Sequence, residues 1–153
     1  MEPDFVVIGA QKSGTTSLYH YLCRHPRILP ALKKEIHFFD SNFHNGVDWY
    51  CRHFPENPDG LTGEATPNYL YDEEAPARAA RVIPDARLIA ILRNPVDRAW
   101  SQYRMQRERG HESLSFEAAI AAEDDRVKSG GWSKRRFSYL ARGRYAEQLK
   151  RWY

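Results

Sequence analysis

The 153-residue sequence has few cysteines and no long apolar segment. Its two cysteines, Cys23 and Cys51, have neither the spacing of a zinc site nor the number that a disulfide-rich scaffold requires. No apolar run approaches the roughly 20 residues of a membrane-spanning helix. Residues 1–4 lead directly into an apolar segment, without the charged and apolar regions of a signal peptide. We therefore expect reduced thiols, no membrane segment in this chain and a cytoplasmic location.

A strong charge of one sign is also absent. The 23 Lys and Arg residues stand against 20 Asp and Glu residues, which leaves a net charge of +3. The basic residues are spread along the chain, with small clusters at residues 33–34, 104–109 and 134–136 that we interpret as solvated faces. Because nucleic-acid-binding domains usually concentrate their positive charge, we predict no nucleic-acid partner. The charge balance fits a small anionic ligand.

The N-terminal segment has the pattern of a strand, a loop and a helix. Residues 5–8 form an apolar run that is typical of a strand buried on both faces. A polar loop follows, and Leu18, Tyr21 and Leu22 then repeat at helical spacing. This layout predicts a phosphate or sulfate site, because the loop amides and the helix N-terminus converge on the anion. The residues predicted to line this anion site are Lys12, Ser13, Gly14, Thr15, Thr16 and Ser17.

The loop differs from a Walker A motif. In that motif the Lys directly follows the second Gly, and the next Ser or Thr holds magnesium. Here Lys12 lies two residues before Gly14, although the loop still offers a cation, a flexible turn and two hydroxyl groups. A chance Gly-Thr turn with a nearby Lys is the alternative interpretation, but the strand-loop-helix context favours an anion site.

A second anion site is predicted after residues 87–92, which have the pattern of another buried strand. Because parallel strands present their carboxyl ends at one edge of a sheet, Arg93 is expected at the same edge as Lys12. A Walker-type NTPase carries an acidic residue there for magnesium, whereas Arg93 and Ser101 suit a second phosphate. The alternative is that Arg93 only caps its loop, with Asp97 as its ion-pair partner. Two anion sites without metal ligands predict a nucleotide with separated phosphates and no bound metal.

The other elements predict an α/β protein with a central parallel sheet. We expect a strand at 61–65 that runs into a turn, helices at 47–53, 73–82, 96–106, 115–123 and 144–153, and loops at 27–32 and 124–138. Ser115 is the expected N-cap of its helix. Only two segments have strong buried-strand patterns, and a parallel sheet usually needs more strands. We therefore interpret residues 1–153 as the N-terminal part of one larger domain that is incomplete at its C-terminus.

Four motifs, taken together in this order, resemble those of the PAPS-dependent sulfotransferases. They are QKSGTTSL at 11–18, KEIHFF at 34–39, EATPNY at 64–69 and LRNPVDRAWSQY at 92–103. The resemblance is to the heparan sulfate N- and 3-O-sulfotransferase-type domains and their bacterial relatives, and residues 143–152 resemble the next helix of that family. It implies a P-loop-type three-layer α/β/α fold, with PAPS as co-substrate and no metal.

The resemblance also implies roles for individual residues. The loop from Lys12 to Ser17 would hold the 5′-phosphosulfate, and Arg93 and Ser101 would hold the 3′-phosphate. Glu35 matches the catalytic base of the 3-O-sulfotransferase branch. The chain departs from the family at Ala65, where many relatives carry a Lys, so a second catalytic cation is missing or comes from Lys33 or Lys34.

Glu35 and His37 are the two candidate bases, and Lys12 is the cation that would stabilise the leaving phosphate. In an extended segment Glu35 and His37 would point to one face. The alternative for Glu35 is a salt bridge with Lys33, Lys34 or Lys12. For His37, which lies beside two Phe residues, we favour a packed and hydrogen-bonded side chain over a catalytic one. Glu64 is a third carboxylate, expected to orient loop residues.

The predicted reaction moves a sulfuryl group from PAPS to a hydroxyl or amine of an acceptor, a small molecule or a glycan. A carbohydrate or glycoconjugate is the favoured acceptor. Two alternatives are kept: a P-loop nucleotide kinase or NTPase, and a non-catalytic nucleotide-binding fragment. If a membrane anchor precedes this chain in a longer protein, the expected location is the Golgi lumen.

Overall fold

The computed structural model describes residues 1–56 and 59–153. The strands are β1 Phe5–Gly9, β2 Ile28–Pro30, β3 Leu61–Ala65 and β4 Arg87–Ala90. The helices are α1 Thr15–Leu22, α2 Val47–Cys51, α3 Ala75–Val82, α4 Pro95–Glu108, α5 Phe116–Ala121, α6 Glu123–Lys128, α7 Gly131–Phe137 and α8 Tyr145–Leu149. Short π- and 3-10-helical turns cover Phe38–Asn42, Phe43–Asn45 and Ala141–Gly143. Within these residues, no helix has the length and apolar character needed to cross a membrane.

Contacts divide the described chain into two units. The first contains Met1–Leu92 with Gln148–Tyr153, and the second contains Arg93–Glu147. The first unit holds the sheet, whereas the second is helical. The assignment of residues 1–153 to one larger domain stays a prediction.

The sheet of the first unit is parallel throughout and has the strand order β2-β3-β1-β4. Strand β1 has all five residues buried, because it pairs with β3 on one side and with β4 on the other. The α/β fold with a parallel sheet, predicted from the sequence, is confirmed. After β1 the chain moves to β2 and β3 on one side and then crosses to β4 on the other. The carboxyl end of β1 therefore lies where the connections change direction, which is where open α/β sheets bind ligands.

Helix α1 packs against one face of the sheet. Tyr19 lies in an apolar cluster with Phe5, Val7 and Ala65, and its hydroxyl donates to the carbonyl oxygen of Gly63 at 2.7 Å. A Cβ atom at Gly63 would lie 2.4 Å from the carbonyl oxygen of Phe5, so glycine allows the close pairing of β1 and β3. The crossover from β3 to β4 runs in the opposite direction to that from β1 to β2, so the right-handed rule for such connections predicts α3 on the other face.

Two of the predicted loops are wrong. Residues 28–30 within the loop predicted at 27–32 form strand β2, which was missed because it has only three residues and ends in a proline at the edge of the sheet. Most of residues 124–138, also predicted as a loop, lie in α6 and α7. These helices are polar, so their apolar pattern is weak. Their signal is charge: α6 has acidic residues in its first turn and basic residues in its last, which complements the helix dipole.

Strand β4 is less buried than its pattern predicts. Arg87 and Ala90 are exposed, and Leu88 and Ile89 are only half-buried, because β4 pairs on one side only within the described sheet. The predicted helix at 144–153 is shorter and covers Tyr145–Leu149.

The second unit is built around helix α4. Asn94 caps this helix by accepting a hydrogen bond from the backbone amide of Val96 at 3.0 Å. A buried apolar cluster contains Ala99, Tyr103, Ala119, Phe137 and Tyr139. The predicted N-cap at Ser115 is confirmed, since its hydroxyl accepts from the amide of Ala118 at 3.3 Å.

Candidate functional site

The loop between β1 and α1 has an unusual backbone at two positions. Lys12 has a φ of 66° and Gly14, the N-cap of α1, has a φ of 89°. Both angles lie in the left-handed region, which glycine tolerates and lysine adopts only at a cost. No atom lies within 4 Å of the position that a Cβ atom of Gly14 would occupy, so the loop is open at this point. The loop therefore turns tightly and leaves space above the start of α1.

The start of α1 can accept an anion. The helix begins at Thr15, and the backbone amides of its first turn have no intrahelical acceptor. No acidic residue lies in that first turn. The Ser13 hydroxyl is buried and, like the side-chain oxygen of Gln11, has no hydrogen-bond partner in the structure. A buried hydroxyl without a partner fits an oxygen atom of a bound phosphate or sulfate group.

Glu35 and His37 also have left-handed backbones, with φ angles of 56° and 55°. Together with Lys12, they are the non-glycine residues with positive φ among those the structure describes. Such conformations cost on the order of 1–3 kcal/mol each and cluster at functional sites. The segment is therefore not extended as the sequence interpretation assumed. The two side chains nevertheless come together in this conformation.

Four charged side chains form a compact group in this segment. Lys34 Nζ lies 2.6 Å from Glu35 Oε1, and His37 Nε2 lies 3.7 Å from Glu35 Oε2. On the other side of the ring, His37 Nδ1 donates to Asp40 Oδ2 at 2.8 Å. The contact with Lys34 is a direct hydrogen bond, whereas the longer one with His37 is an ion pair.

These contacts favour the charged forms of both Glu35 and His37. His37 lowers the pKa of Glu35 to about 2, partial burial opposes this shift, and Lys34 adds to it. The hydrogen bond to Asp40 has the largest effect on His37, and Glu35 has the next largest. Together they raise the pKa of His37 to about 9, although its burial acts in the opposite direction. At neutral pH His37 is therefore an imidazolium, which has no free nitrogen to accept a proton. The geometry favours Glu35 over His37 as a base.

Asp40 and Asn68 are two site residues that sequence analysis missed. The Asp40 side chain is 0% exposed, and its Oδ2 atom also accepts from Asn68 Nδ2 at 2.6 Å. Asp40 thus binds His37 and the turn after β3 at once. The available signal was an acidic residue three positions after His37, together with an amide in the EATPNY motif.

Glu64 lies fully buried beneath the segment. Its Oε1 atom accepts from the hydroxyls of Tyr50 at 2.8 Å and Tyr69 at 3.0 Å, and its Oε2 atom accepts from the Thr66 hydroxyl at 2.6 Å. Burial raises the pKa of Glu64, while these hydrogen bonds lower it. Burial has the larger effect, so the pKa of Glu64 lies above its ordinary value, and the three hydroxyl groups hold the side chain in place so that it organises the turn after β3.

The loop after β1 and the segment with Glu35 lie at the same edge of the sheet. Strands β1 and β3 are parallel, with Val7 opposite Ala65, so the segments that follow them leave at one edge. The backbone amide of Glu35 donates to the carbonyl oxygen of Ala65 at 3.2 Å, which places Glu35 at the carboxyl end of β3. The side chain of Ala65 is buried in the cluster with Phe5 and Val7.

Arg93 and Ser101 belong to the second unit. Arg93 is exposed, and its carbonyl oxygen accepts a hydrogen bond from the hydroxyl of Tyr145 at 2.8 Å. Ser101 is half-buried on helix α4. Across residues 1–56 and 59–153, no group of three or more His, Cys, Asp or Glu residues has the arrangement of a metal site.

Comparison with known proteins agrees with this geometry. The family model of the sulfotransferase domain matches residues 2–153. The chain is 40% identical over 164 residues to human bifunctional heparan sulfate N-deacetylase/N-sulfotransferase 3, covering 98% of this chain and 18% of that protein. It is 36% identical over 151 residues to mouse heparan sulfate glucosamine 3-O-sulfotransferase 3A1, covering 98% of this chain and 37% of that protein. The chain thus spans well under half the length of either relative.

A solved structure is also similar. A crystal structure of a sulfotransferase from Alicyclobacillus acidocaldarius superposes with a TM-score of 0.88 at 35% identity, covering 99% of this chain and 68% of that one. The four-stranded parallel sheet therefore has the strand arrangement of a sulfotransferase.

Proposed function

Because the chain belongs to the sulfotransferase domain family, we propose that it carries the donor loop and the base of an enzyme that moves a sulfuryl group from PAPS to a carbohydrate. The observation that carries this proposal is the position of the ionised Glu35 carboxylate at the same sheet edge as the loop of residues 12–17. A carbohydrate acceptor, at a hydroxyl or an amine, is supported by relatives whose names specify heparan sulfate.

The donor loop is proposed to bind the phosphosulfate end of PAPS. The Ser13 hydroxyl, which lacks a partner in the structure, and the first-turn amides of α1 would donate hydrogen bonds to its oxygens. Lys12 would place its positive charge where negative charge develops on the leaving phosphate oxygen. PAPS supplies the sulfuryl group when it is bound. On the motif evidence alone, Arg93 and Ser101 are proposed to bind the 3′-phosphate.

Glu35 is proposed as the general base. As the acceptor oxygen or nitrogen bonds to sulfur and the bond from sulfur to the phosphate oxygen breaks, the acceptor proton passes to Glu35. A carboxylate whose pKa is near 2 is a weak base, but the acceptor becomes strongly acidic as its bond to sulfur forms. His37 would keep the carboxylate oriented and ionised, and Asp40 would hold the imidazolium in place. General base catalysis of this kind contributes roughly 10²- to 10⁴-fold.

A transfer assay tests the proposal. The full-length protein is incubated with PAPS carrying radiolabelled sulfate and with a panel of glycans, amines and small alcohols. Glu35→Gln is expected to lower kcat by roughly 10²-fold or more while binding adenosine 3′,5′-bisphosphate normally. The control variant is Glu117→Gln on the exposed side of α5, which should transfer sulfate at the parental rate. Undiminished turnover by Glu35→Gln would remove Glu35 from the mechanism.

The two alternative functions considered from the sequence predict different results when nucleotide binding and sulfate transfer are both measured. A kinase or NTPase would show a magnesium-dependent thermal shift with ATP and no sulfate transfer. A non-catalytic nucleotide-binding protein would show a shift with adenosine 3′,5′-bisphosphate and no transfer to any acceptor. Membership of the sulfotransferase family favours transfer over both outcomes. A cytoplasmic or Golgi location stays a prediction.

A further inference from the structure

The Tyr69 hydroxyl connects the buried Glu64 carboxylate with the backbone of the candidate catalytic segment. It donates to Glu64 Oε1 at 3.0 Å and accepts from the backbone amide of Phe38 at 2.8 Å. The Tyr69 side chain is fully buried. Because a hydroxyl that donates a hydrogen bond becomes a stronger acceptor, the bond from Phe38 is reinforced by the bond that Tyr69 makes to Glu64.

Besides a longer contact of 3.5 Å from the Phe39 amide to the Tyr69 hydroxyl, three further hydrogen bonds connect the segment of residues 35–40 with the turn of residues 65–69. The Glu35 amide donates to the Ala65 carbonyl at 3.2 Å, and the His37 amide donates to the Thr66 hydroxyl at 3.4 Å. The third bond joins the side chains of Asn68 and Asp40. The Thr66 hydroxyl, like that of Tyr69, also donates to Glu64. Three of the hydrogen bonds that hold the segment therefore end on hydroxyl groups that are themselves bound to Glu64.

The segment needs such support because Glu35 and His37 both have left-handed backbones. Residues in that conformation persist only where surrounding contacts hold them. The bond from Tyr69 meets the chain at Phe38, directly after the second of the two strained residues. Without this bond, one of the contacts that hold the backbone of residues 37–38 in its strained conformation is lost. Relaxation to ordinary φ angles would then move the imidazole away from the Glu35 carboxylate.

We propose that the Tyr69 hydroxyl, held by the Glu64 carboxylate, is a positioning group that sets the backbone of residues 37–38 and thereby the Glu35–His37 pair. It does not contact the reacting atoms. The expected effect on kcat rests on the proposed function, whereas the expected effect on the position of His37 is independent of sulfate transfer.

Tyr50 provides a matched control. Its hydroxyl donates to the same Oε1 atom of Glu64 at 2.8 Å, and its side chain is as deeply buried as that of Tyr69. In the described part of the chain, the Tyr50 hydroxyl bonds to Glu64 alone, whereas that of Tyr69 also holds the Phe38 amide. Tyr50→Phe and Tyr69→Phe therefore each remove one donor from the same carboxylate oxygen, and only Tyr69→Phe releases the segment.

The experiment compares the two variants in the full-length protein. The sulfate-transfer assay gives kcat and the KM for PAPS. NMR titration of histidines labelled at Cε1 gives the pKa of His37, whose signal is assigned because it is missing in His37→Gln. For Tyr69→Phe we expect a decrease in kcat of about tenfold or more with the KM for PAPS within about twofold, because positioning affects the chemical step. The His37 pKa should fall below about 9 but stay above its ordinary value of 6.5, because the contact with Glu35 is lost while the hydrogen bond to Asp40, which raises it most, is kept. Tyr50→Phe should keep both values. Thermal unfolding should show a loss of stability in both variants, and the loss should be larger in Tyr69→Phe because that variant also leaves the Phe38 amide without its acceptor.

A second pair of variants does not depend on Tyr69. Thr66→Val removes the hydroxyl that accepts from the His37 amide, and Thr66→Ser keeps it. Thr66→Val should lower kcat and the His37 pKa, and Thr66→Ser should restore both. Equal losses of kcat in Tyr50→Phe and Tyr69→Phe, or an unchanged His37 pKa in Tyr69→Phe, would overturn the inference. If the parent protein transfers no sulfate, the proposed function fails, while the histidine titration still decides the positioning role.

Discussion

The imidazole of His37 lies between two carboxylates, with Nδ1 2.8 Å from Asp40 Oδ2 and Nε2 3.7 Å from Glu35 Oε2. A neutral imidazole offers one donor and one acceptor, whereas an imidazolium offers two donors. The arrangement therefore selects the protonated ring. His37 therefore stays positively charged across the pH range in which an ordinary histidine loses its proton.

The first prediction concerns stability against pH. Because the folded-state pKa of His37 is raised to about 9, its contribution to stability is fully present below about pH 6.5 and is lost as the pH rises through 9. We expect a loss of about 1–2 kcal/mol across this window, reduced by solvent screening because the side chain is 32% exposed. Urea unfolding at pH 6, 7.5 and 9.5 measures it.

His37→Gln should abolish this step, and His44→Gln on an exposed position should keep it. Glu35 contributes with the opposite sign. Its lowered pKa means that its stabilisation is present above about pH 4.5 and is lost as the pH falls through about 2. A parental unfolding free energy that stays constant from pH 6.5 to 9.5 would contradict the protonated His37.

The second prediction separates the charge of Lys12 from its backbone strain. Both Lys12→Ala and Lys12→Gly should lose binding of adenosine 3′,5′-bisphosphate in calorimetry, because both remove the cation. Since Lys12 has a φ of 66°, only Lys12→Gly relieves the strain, and we expect it to be more stable than Lys12→Ala by about 1 kcal/mol. Lys128→Ala, at an exposed position on α6, is the control and should bind normally. Equal stability of the two Lys12 variants would contradict the strain at this position.

The third prediction uses the buried hydroxyl of Ser13. Because Ser13 Oγ has no hydrogen-bond partner in the structure, Ser13→Ala removes no intramolecular bond. The free energy of unfolding should change by no more than about 0.5 kcal/mol. Affinity for the nucleotide should fall by about tenfold or more, because one hydrogen bond to a charged group contributes roughly 1.5–3 kcal/mol. A Ser13→Ala protein that loses stability but keeps its affinity would give Ser13 a structural role instead.

The fourth prediction tests Arg93 with two nucleotides that differ in one phosphate. The parent protein should bind adenosine 3′,5′-bisphosphate about tenfold or more tightly than adenosine 5′-monophosphate, because a charged arginine contact contributes roughly 1.5–3 kcal/mol. Arg93→Ala should remove this difference and leave the affinity for the monophosphate unchanged, and Ser101→Ala should reduce the difference partly. Arg104→Ala, on the exposed side of α4, should keep the full difference. A preserved preference in Arg93→Ala would exclude it as a ligand of the 3′-phosphate.

Local sequence patterns predicted the elements whose signals lie within a few residues. The apolar run of β1, the Gly14 turn and the Leu18–Tyr21–Leu22 spacing are all short-range features, and the structure has β1 and α1 there. Ser115 identified its helix by its capping side chain. Strand β2 and helices α6 and α7 were missed because a three-residue edge strand and two polar helices are stabilised by neighbours that are distant in the sequence.

The sequence by itself determined the family, and it indicated the loop of residues 12–17 as a candidate donor loop and Glu35 as a candidate base, because these depend on the order of residues within short motifs. Only the tertiary structure decided that His37 is charged, that Asp40 holds it and that Tyr69 joins Glu64 to the backbone of Phe38. The bonds from Tyr69 and Asn68 join residues about thirty positions apart. They form because the parallel pairing of Val7 with Ala65 brings the turn after β3 to the edge where the donor loop begins, and no local pattern encodes that pairing.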